Sequence, residues 1–359
     1  MPDDITLRVI ISTSEMRLTM ESITRPKFSM PFAPPTPNPA EAEAEALLWE
    51  WIAEFDLCPS AASRRQIQRS RPTQASAMMY PTAEIDVLAI GAQWSAFFFL
   101  VDDELDEGPA GQDPAQCAKA VIALLSVFDD RTPDTPLGRA FADLWRRLSR
   151  DRSVTWRQAF RASVTRLWWN QYGETVDRQA GRIPSLAEYL EFRRYAAGTP
   201  TFIDIVEPAC RIELPAAIRH LPAFVELRNA AADQVCASND LWSAPKELTH
   251  GSSFTSLVTL VDHHQSCGLH RAMEWVNDRT TDCVNRMITA RKQLSAQFDA
   301  AGTTGQARAE GLAVADAYAT FVSGVHHWHS ATDRYVGDFA ETGSAESGAP
   351  AYISNLLNT

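Results

Sequence analysis

The sequence has no closely spaced cysteines. Its six cysteines are scattered singly, at Cys58, Cys117, Cys210, Cys236, Cys267 and Cys283. Disulfide frameworks and structural zinc sites both need ligand residues at short intervals, and no Cys-x-x-Cys pair occurs here. The pattern argues against a disulfide-stapled secreted scaffold and against a zinc finger. It favours small buried thiols in a reducing, cytoplasmic compartment.

Positive charge is also scarce. The chain has 33 lysines and arginines against 45 aspartates and glutamates, which gives a formal net charge of −12 at pH 7. Because such a field repels phosphate backbones, the composition argues against a nucleic-acid partner. A phosphorylated small molecule would need cations between its phosphates and the protein.

Long apolar runs are missing as well. No window approaches the roughly 18 uninterrupted apolar residues of a membrane span, so we expect no stable membrane association. The opening MPDDITLRVI places acidic residues where a secretory leader carries positive charge. Prolines crowd residues 26–39 and favour extended chain there, so we expect residues 1–27 to be a flexible N-terminal tail.

No alternating β-pattern of useful length and no internal repeat is present, whereas helical periodicity is. Beyond Pro39, residues such as Leu48, Trp51, Ile52 and Phe55 recur at the spacing of one apolar helical stripe. Further helices are predicted at about 83–104, 114–128, 137–149, 153–173, 185–197, 200–211, 218–247, 254–264, 268–299 and 304–330. The sequence therefore predicts a single all-α domain of ten or more helices.

Five carboxylates follow the most apolar stretch of the chain, in FFFLVDDELDEG at residues 97–108. Asp102 and Asp106 are one helical turn apart, so they can point the same way and bridge metal ions. Phe98 and Phe99 lie four and three residues before Asp102, on the same face one turn deeper. The pattern predicts a metal-binding rim above an aromatic wall. The alternative is a charged helix end, which the helix dipole disfavours for carboxylates.

A second set of oxygen ligands occurs in NDLWSAPKE, at residues 239–247. Asn239, Ser243 and Glu247 are spaced by four, so one helix face would carry an amide oxygen, a hydroxyl and a carboxylate. Mg²⁺ prefers such hard oxygen ligands and often completes its shell with substrate phosphates. Pro245 falls within this stretch and is expected to kink the helix, which affects the direction of Glu247.

Together these motifs resemble those of the bacterial class I terpene synthases (terpene cyclases). The run at 102–106 resembles the family motif D-D-x-x-D, with Asp102, Asp103 and Asp106 as its aspartates. The run at 239–247 fits N-D-x-x-S-x-x-x-E. The resemblance spans roughly residues 28–340 and implies a class I terpenoid synthase fold, a helical bundle around a central apolar cavity. Residues 341–359 would then be a C-terminal tail.

The resemblance also implies residues around a diphosphate. Arg334 and Tyr335 fit the family's RY pair. RRYAAG at 193–198 resembles the segment of the diphosphate-sensing arginine, with Arg194 a better match than Arg193. The other positions implied in this way are Ala197 as linker, Gly198 as effector, Lys246 as a diphosphate ligand and Trp328 as a cavity residue. Val325 departs from the pattern, because many relatives carry asparagine there.

The function implied by the resemblance is Mg²⁺-dependent cyclisation of a linear isoprenyl diphosphate. Three Mg²⁺ ions per site are expected, with farnesyl diphosphate, the C15 substrate, preferred over the C20 geranylgeranyl diphosphate. A sesquiterpene hydrocarbon or alcohol and free diphosphate would be the products, and a homodimer is the candidate assembly. Two alternatives stay open. A chain-elongating prenyltransferase would need a second aspartate-rich motif, and a helical scaffold would use both acidic motifs as solvated faces.

Overall fold

The computed structural model describes residues 28–250, 256–335 and 350–357, and for residues 245–250 it describes the backbone alone. In these ranges the chain forms α-helices and two short 3₁₀ turns, Pro109–Gly111 and Ser126–Asp129, without a β-strand. The predicted all-α class is therefore confirmed. Residues 1–27, predicted to be a tail, lie outside the described ranges.

The helices follow one another with short connections. The first seven are α1 Glu41–Glu54, α2 Ala61–Ser70, α3 Pro72–Met79, α4 Ile85–Asp106, α5 Pro114–Leu125, α6 Pro136–Leu148 and α7 Val154–Ala180. The other seven are α8 Leu186–Ala196, α9 Thr199–Ala209, α10 Ala216–Arg219, α11 Pro222–His250, α12 Leu257–Gln265, α13 Leu269–Ala300 and α14 Gly305–Ala331. The predicted second motif lies on α11, which continues as one helix through Pro245.

Helices α2 and α3 were not predicted, because α2 is polar and α3 has only eight residues. The α2 sequence AASRRQIQRS has too few apolar residues to show a helical stripe. Its start is fixed instead by a capping box between Ser60 and Ser63. Arg71 adopts a left-handed conformation with φ 47°, and Pro72 occupies the first turn of α3, where its missing N–H costs nothing.

The ends of α7 and α8 are set by side-chain caps and a glycine. The Ser153 hydroxyl accepts a hydrogen bond from the Trp156 N–H at 3.1 Å and starts α7, which ends at Gly181 with φ +62°. Ser185 and Glu188 form a capping box at the start of α8. The predicted start of α7 and both predicted ends of α8 agree with the structure to within one residue, whereas α7 continues seven residues beyond its predicted end at 173.

Helix α4 is the central element of the bundle. It is long and apolar enough, by length and composition, to cross a membrane, but most of it is buried inside the protein. The buried Trp94 donates its indole N–H to Thr201 at 3.0 Å, and its ring lies 5.5 Å from Phe97 and 5.4 Å from Phe160. Full burial of each aromatic ring contributes about 1.5–3 kcal/mol, so this cluster fixes α4 firmly.

Helix α4 faces α11 across the middle of the bundle. Helices α1, α3, α6 and α9 pack against α4, while α9, α13 and α14 pack against α11. Side chains of α3, α4, α7, α9, α11 and α14 enclose a cavity between them. The two predicted motifs therefore lie on opposite walls of one cavity.

The predicted C-terminal tail, residues 341–359, is partly described. Its segment 350–357 packs against the domain, with Leu356 and Leu357 buried at 3% and 7% exposure. The Leu137 N–H at the start of α6 donates to the Leu356 carbonyl at 3.5 Å. This part of the predicted tail therefore belongs to the packed domain.

We predict that two glycines on long helices respond oppositely to alanine. At Gly324 on α14 an added Cβ would lie 2.3 Å from the Met78 carbonyl oxygen, so the backbone of α3 would have to move. At Gly173 on α7 the nearest atom would be a Phe192 ring carbon at 3.6 Å. Gly324→Ala should cost about 1–3 kcal/mol. Gly173→Ala should contribute about 0.5–1 kcal/mol through helix propensity.

Chemical denaturation of both variants measures this difference. If Gly324→Ala proves as stable as Gly173→Ala, the close approach of α3 and α14 is wrong.

Candidate active site

The cavity between α4 and α11 has a volume of about 190 Å³. Its walls are apolar and largely aromatic at Phe98, Phe99, Phe202, Phe321, Val325 and Trp328. Its rim carries charged and amide groups at Asp102, Asp106, Glu174, Arg178, Arg193, Asn239 and Arg334. An apolar cavity with a few convergent polar groups at one end is typical of a site for an amphiphilic ligand.

The three consecutive phenylalanines divide between the core and the cavity. The Phe97 ring is fully buried and stacks on Phe141 at 5.4 Å, away from the cavity. The Phe99 ring lines the cavity and stacks on Trp328 at 5.6 Å with an interplanar angle of 10°. The Phe98 ring also lines the cavity. Two of the three rings therefore form the wall beneath the acidic rim.

The aspartates of the first motif have cationic or amide partners. The Arg334 guanidinium lies 2.9 Å from Asp103 and 3.3 Å from Asp102. Gln171 donates to Asp102 at 3.2 Å, and Arg178 lies 3.2 Å from Asp106. Asp102 and Asp106 line the cavity, whereas Asp103 lies behind them. Arginines thus compensate part of this cluster of negative charge.

Burial makes ionisation of two rim carboxyls unfavourable. Burial, reinforced by the nearby Asp106 carboxylate, raises the pKa of Asp102 to about 7. Glu174 on α7 faces the same aspartate, and burial together with Asp106 raises its pKa to about 8. A further cation at the rim would therefore stabilise the ionised form of both carboxyl groups.

Arg334 and Tyr335 join the two motifs. Arg334 holds Asp102 and Asp103 on α4, while the Tyr335 hydroxyl accepts a hydrogen bond from the Asn239 amide on α11 at 2.8 Å. The Arg334 guanidinium also lies 4.5 Å from the centre of the Phe99 ring, within cation–π range. The pair therefore connects both ligand walls and the aromatic wall.

The second motif places two of its predicted ligands on the cavity. Asn239 and Ser243 line it, and the Ser243 hydroxyl donates to the Asn239 carbonyl at 2.9 Å. The side chains of Lys246 and Glu247, predicted to bind diphosphate and metal, lie outside the described residues. The motif's second residue, Asp240, is fully buried, and its carboxylate accepts a hydrogen bond from the Tyr189 hydroxyl at 3.0 Å.

The structure places Arg193, and not Arg194, on the cavity. Arg193 donates to Asn239 at 2.9 Å and pairs with the buried Asp240 at 2.7 Å. Arg194 points away from the cavity and pairs with Asp233 at 2.6 Å. The preference for Arg194 rested on sequence position alone. Adjacent residues on a helix differ by about 100° in direction, so only one of the two arginines can face the rim.

Gly198 lies where α8 ends and α9 begins, with a left-handed φ of +67°. A Cβ at this position would lie 2.6 Å from the Phe98 ring. Ala197 and Thr199 on either side line the cavity. Glycine is therefore required at this position for two reasons. The backbone is left-handed, and a side chain would collide with the aromatic ring.

Three polar residues of α7 were missed by the sequence analysis. Gln171, Glu174 and Arg178 contact or face the first motif, and the two charged members line the cavity. Their spacing of three and four residues places them on one face of the helix. That spacing was visible in the sequence, but a long helix carries many polar residues at helical intervals.

The donor set fits Mg²⁺, although no ready-made cage is present. In the described ranges no three His, Cys, Asp or Glu side chains converge as a preformed metal site. The rim instead offers carboxylate oxygens, the Asn239 amide and the Ser243 hydroxyl, which are the hard ligands that Mg²⁺ prefers. The Gln171 amide oxygen is buried beside Asp102 without a hydrogen-bond partner. These residues therefore fit a hydrated Mg²⁺ site completed by a ligand.

Among the residues that the structure describes, the histidines of α14 belong to no metal-binding cluster. His329 lines the cavity but packs between the Trp328 and Tyr335 rings, and burial followed by the neighbouring His326 lowers its pKa to about 3. Its ring is neutral at physiological pH.

Comparison with known proteins identifies the family. A family profile described as terpene synthase family 2, C-terminal metal binding, matches residues 93–286. (+)-T-muurolol synthase of Roseiflexus castenholzii is 31% identical over 291 residues, which cover 79% of this chain and 87% of that protein. (2Z,6E)-Hedycaryol synthase of Kitasatospora setae is 28% identical over 331 residues, covering 92% and 97%.

Solved structures agree with the sequence comparison. Hedycaryol synthase in complex with nerolidol superposes with a TM-score of 0.75 at 26% identity, covering 85% of this chain and all of that one. Germacradien-4-ol synthase from Streptomyces citricolor superposes with a TM-score of 0.77 at 27% identity, covering 86% and 99%. The matched residues include both acidic motifs, most of α4 and all of α11. The chain therefore belongs to the bacterial class I terpene synthases.

Proposed function

We propose that the protein is a Mg²⁺-dependent sesquiterpene cyclase that ionises farnesyl diphosphate and releases diphosphate. The observation that carries the proposal is the joining of two oxygen-ligand walls and one aromatic wall by Arg334 and Tyr335. A diphosphate fits the charged rim, and a hydrocarbon fits the aromatic cavity beneath it.

The relatives support a C15 substrate. The full name of (+)-T-muurolol synthase describes it as cyclising (2E,6E)-farnesyl diphosphate, and so does that of the (−)-β-caryophyllene synthase of Saccharothrix espanaensis, 26% identical over 313 residues. Geranylgeranyl diphosphate is the second candidate. Chain elongation is disfavoured because the second wall carries the Asn239 and Ser243 pattern rather than a second aspartate-rich motif.

We assign Asp102, Asp106, Asn239 and Ser243 as the metal ligands on the described walls, with Glu247 predicted by its motif. Three Mg²⁺ ions, when bound, would neutralise the diphosphate and make it a better leaving group. Asp103 lies behind the rim and is held by Arg334, so it orients that arginine as well as adding negative charge. The Gln171 amide orients Asp102.

The cationic residues of the rim bind the leaving group. The Arg193 and Arg334 guanidinium groups and the Tyr335 hydroxyl lie around the mouth of the cavity, where they can donate hydrogen bonds to a diphosphate. These donors stabilise charge that develops as the allylic C–O bond breaks. They are held in place by Asp240, Asp103 and Asn239 before the ligand arrives.

The aromatic wall guides the carbocation left behind. The ring faces of Phe98, Phe99 and Trp328 attract a cation by about 0.5–2 kcal/mol each, which biases ring closure without trapping an intermediate. The diphosphate itself can accept the final proton, or a captured water gives an alcohol. Water must be excluded until that step, which requires the rim to close over the bound ligand.

We propose a cytoplasmic enzyme without nucleic-acid or stable membrane partners. None of the six cysteines is paired in a disulfide, which suits a reducing compartment. The formal net charge of −12 opposes contact with nucleic acid. A homodimer remains the predicted assembly.

Incubation with C10, C15, C20 and C25 diphosphates plus Mg²⁺, followed by mass analysis of the products, tests the function directly. Cyclised C15 product and released diphosphate are expected, and both should stop when Mg²⁺ is chelated. Exclusive conversion of the C20 substrate would move the enzyme to the diterpene synthases. No turnover of any substrate would reject the proposal.

The two metal walls should both be required for turnover. Asp102→Ala and Asn239→Ala should each lower kcat on the order of 10²-fold or more, because each removes an oxygen that holds transition-state charge. Asp129→Ala is the matched control, since it removes an exposed carboxylate paired with Arg161 outside the cavity. Circular dichroism should stay helical in all three variants. Full activity in Asp102→Ala or Asn239→Ala would remove that residue from the ligand set.

Arg193 and Arg194 offer a matched pair, because each is bound to a largely buried aspartate. Arg193→Gln should lower kcat on the order of 10²-fold and weaken inhibition by inorganic diphosphate. Arg194→Gln should lower the melting temperature by a comparable amount but keep kcat within a few fold. The opposite order of the two kcat values would restore Arg194 as the diphosphate-binding arginine.

The aromatic wall should control product identity more than ionisation. Phe98→Ala and Phe99→Ala remove π-density and open space, so acyclic and early-quenched products should rise while diphosphate release falls less than cyclised product. Phe97→Ala is the control, because it should cost about 3–5 kcal/mol of stability without changing the product ratio. Diphosphate and terpene are measured in one assay. An unchanged product ratio in both cavity variants would mean that the rings only pack.

A further inference from the structure

The last described segment of the chain, Pro350–Leu357, lies against the C-terminal end of α4. The Glu104 carboxylate accepts hydrogen bonds from the backbone N–H groups of Ser354 at 2.9 Å and Leu356 at 3.2 Å, both at Oε1. Glu104 is 2% exposed. A buried carboxylate is thus anchored to a segment about 250 residues further along the chain.

A second anchor lies one turn further along the same helix. The Tyr352 hydroxyl donates a hydrogen bond to the Glu107 carboxylate. Leu356 and Leu357 are buried beside it and attach the segment to the start of α6. The segment therefore holds α4 through two carboxylates and an apolar contact.

The five carboxylates of residues 102–107 differ in their partners. Asp102, Asp103 and Asp106 face the cavity or its arginines. Glu104 faces the C-terminal segment. Glu107, the residue after the end of α4, binds Tyr352 of that segment and also lines the cavity. The acidic run therefore has two purposes, and Glu104, between the predicted ligands, is an attachment point.

The end of α4 needs such attachment. The last carbonyls of a helix lack intrahelical donors, and its dipole disfavours carboxylates at that end. Mutual repulsion among five negative charges adds to this tendency to fray. The N–H groups of Ser354 and Leu356 give one of these carboxylates fixed donors without adding a cation that would compete at the rim.

We propose that the segment Pro350–Leu357 is a positioning element of the active site, which holds the last turn of α4 so that Asp102 and Asp106 present their oxygens to the cavity. The proposal rests on the proposed function of the same rim. Glu104 and Tyr352 are positioning residues and touch neither substrate nor metal. Groups that orient metal ligands typically change metal affinity or activity by about 10–100-fold when removed.

Three full-length variants test the proposal. Glu104→Ala should weaken the apparent affinity for Mg²⁺ in turnover, raising the half-saturating Mg²⁺ concentration by about tenfold. Glu104→Gln keeps an amide oxygen that can accept both backbone N–H groups, so its value should stay within a few fold of wild type. Tyr352→Phe removes one anchor and should fall between them. Binding of Mg²⁺ plus inorganic diphosphate, measured by calorimetry, should follow the same order.

Glu207→Ala is the matched control for stability. Glu207 is also a buried glutamate that accepts a backbone N–H, from Leu214 at 2.8 Å, but it lies on α9 and away from the rim. This variant should lower the melting temperature and leave the Mg²⁺ dependence unchanged. Tyr195→Phe serves the same purpose for Tyr352, because its hydroxyl accepts from Arg166 outside the cavity.

Hydrogen–deuterium exchange gives a readout that does not depend on turnover. Amides of residues 101–107 should exchange faster in Glu104→Ala than in wild type or Glu104→Gln, with no ligand added. Equal loss in Glu104→Ala and Glu104→Gln would show that the charge, and not the anchor, matters and would overturn the proposal. So would unchanged Mg²⁺ dependence in Glu104→Ala. If wild type turns over no substrate, the proposed function fails, and the calorimetry and exchange comparison still decides whether the segment positions the rim.

Discussion

The ion pairs of Arg334 are the interaction on which the site depends. Three aspartates border an apolar cavity, and a carboxylate there is strongly penalised unless a cation or a proton compensates it. Arg334 compensates Asp102 and Asp103 on one wall, and its neighbour Tyr335 binds Asn239 on the other. Arg334 and Tyr335, which follow α14, thus bridge the two ligand walls.

Helix α4 must satisfy opposing demands along its length. Its middle turns are buried, and Trp94 and Phe97 pack there against other aromatic rings. Its last turn must keep carboxylates at the rim, where burial and like charge both oppose ionisation. The structure separates these demands along the helix, with Phe98 and Phe99 forming the boundary between the sealed core and the rim. The buried turns of α4 are therefore held by their own packing, whereas its last turn depends on contacts with other segments of the chain.

The sequence predicted those features that a local pattern encodes. Helical periodicity located most helices, and the spacing of residues 102–106 and 239–247 located both ligand walls. The features that the sequence did not reveal depend on the direction of a side chain or on a contact with residues far along the chain. Arg193 and Arg194 are equivalent in composition, and only the packing of α8 against α11 decides which faces the cavity. Helix α2 has no apolar stripe to reveal it. In the sequence nothing distinguishes Glu104 from a solvated glutamate, because its role depends on contacts with residues 354–356 that only the fold creates.

The charge arrangement at the rim explains how a negatively charged protein can hold a negatively charged ligand. The arginines facing the cavity, Arg178, Arg193 and Arg334, are each already paired with an aspartate. Even with Arg334 beside Asp102, burial and the Asp106 carboxylate raise the pKa of Asp102 to about 7 and that of Glu174 to about 8, so the rim as it stands is short of positive charge. A diphosphate alone would increase that shortage, whereas divalent cations alone would compete with the arginines for the same oxygens. Cations and diphosphate together satisfy both sets, because the metals take the carboxylates and the released guanidinium donors take the phosphate oxygens. The two ligands are therefore expected to bind cooperatively.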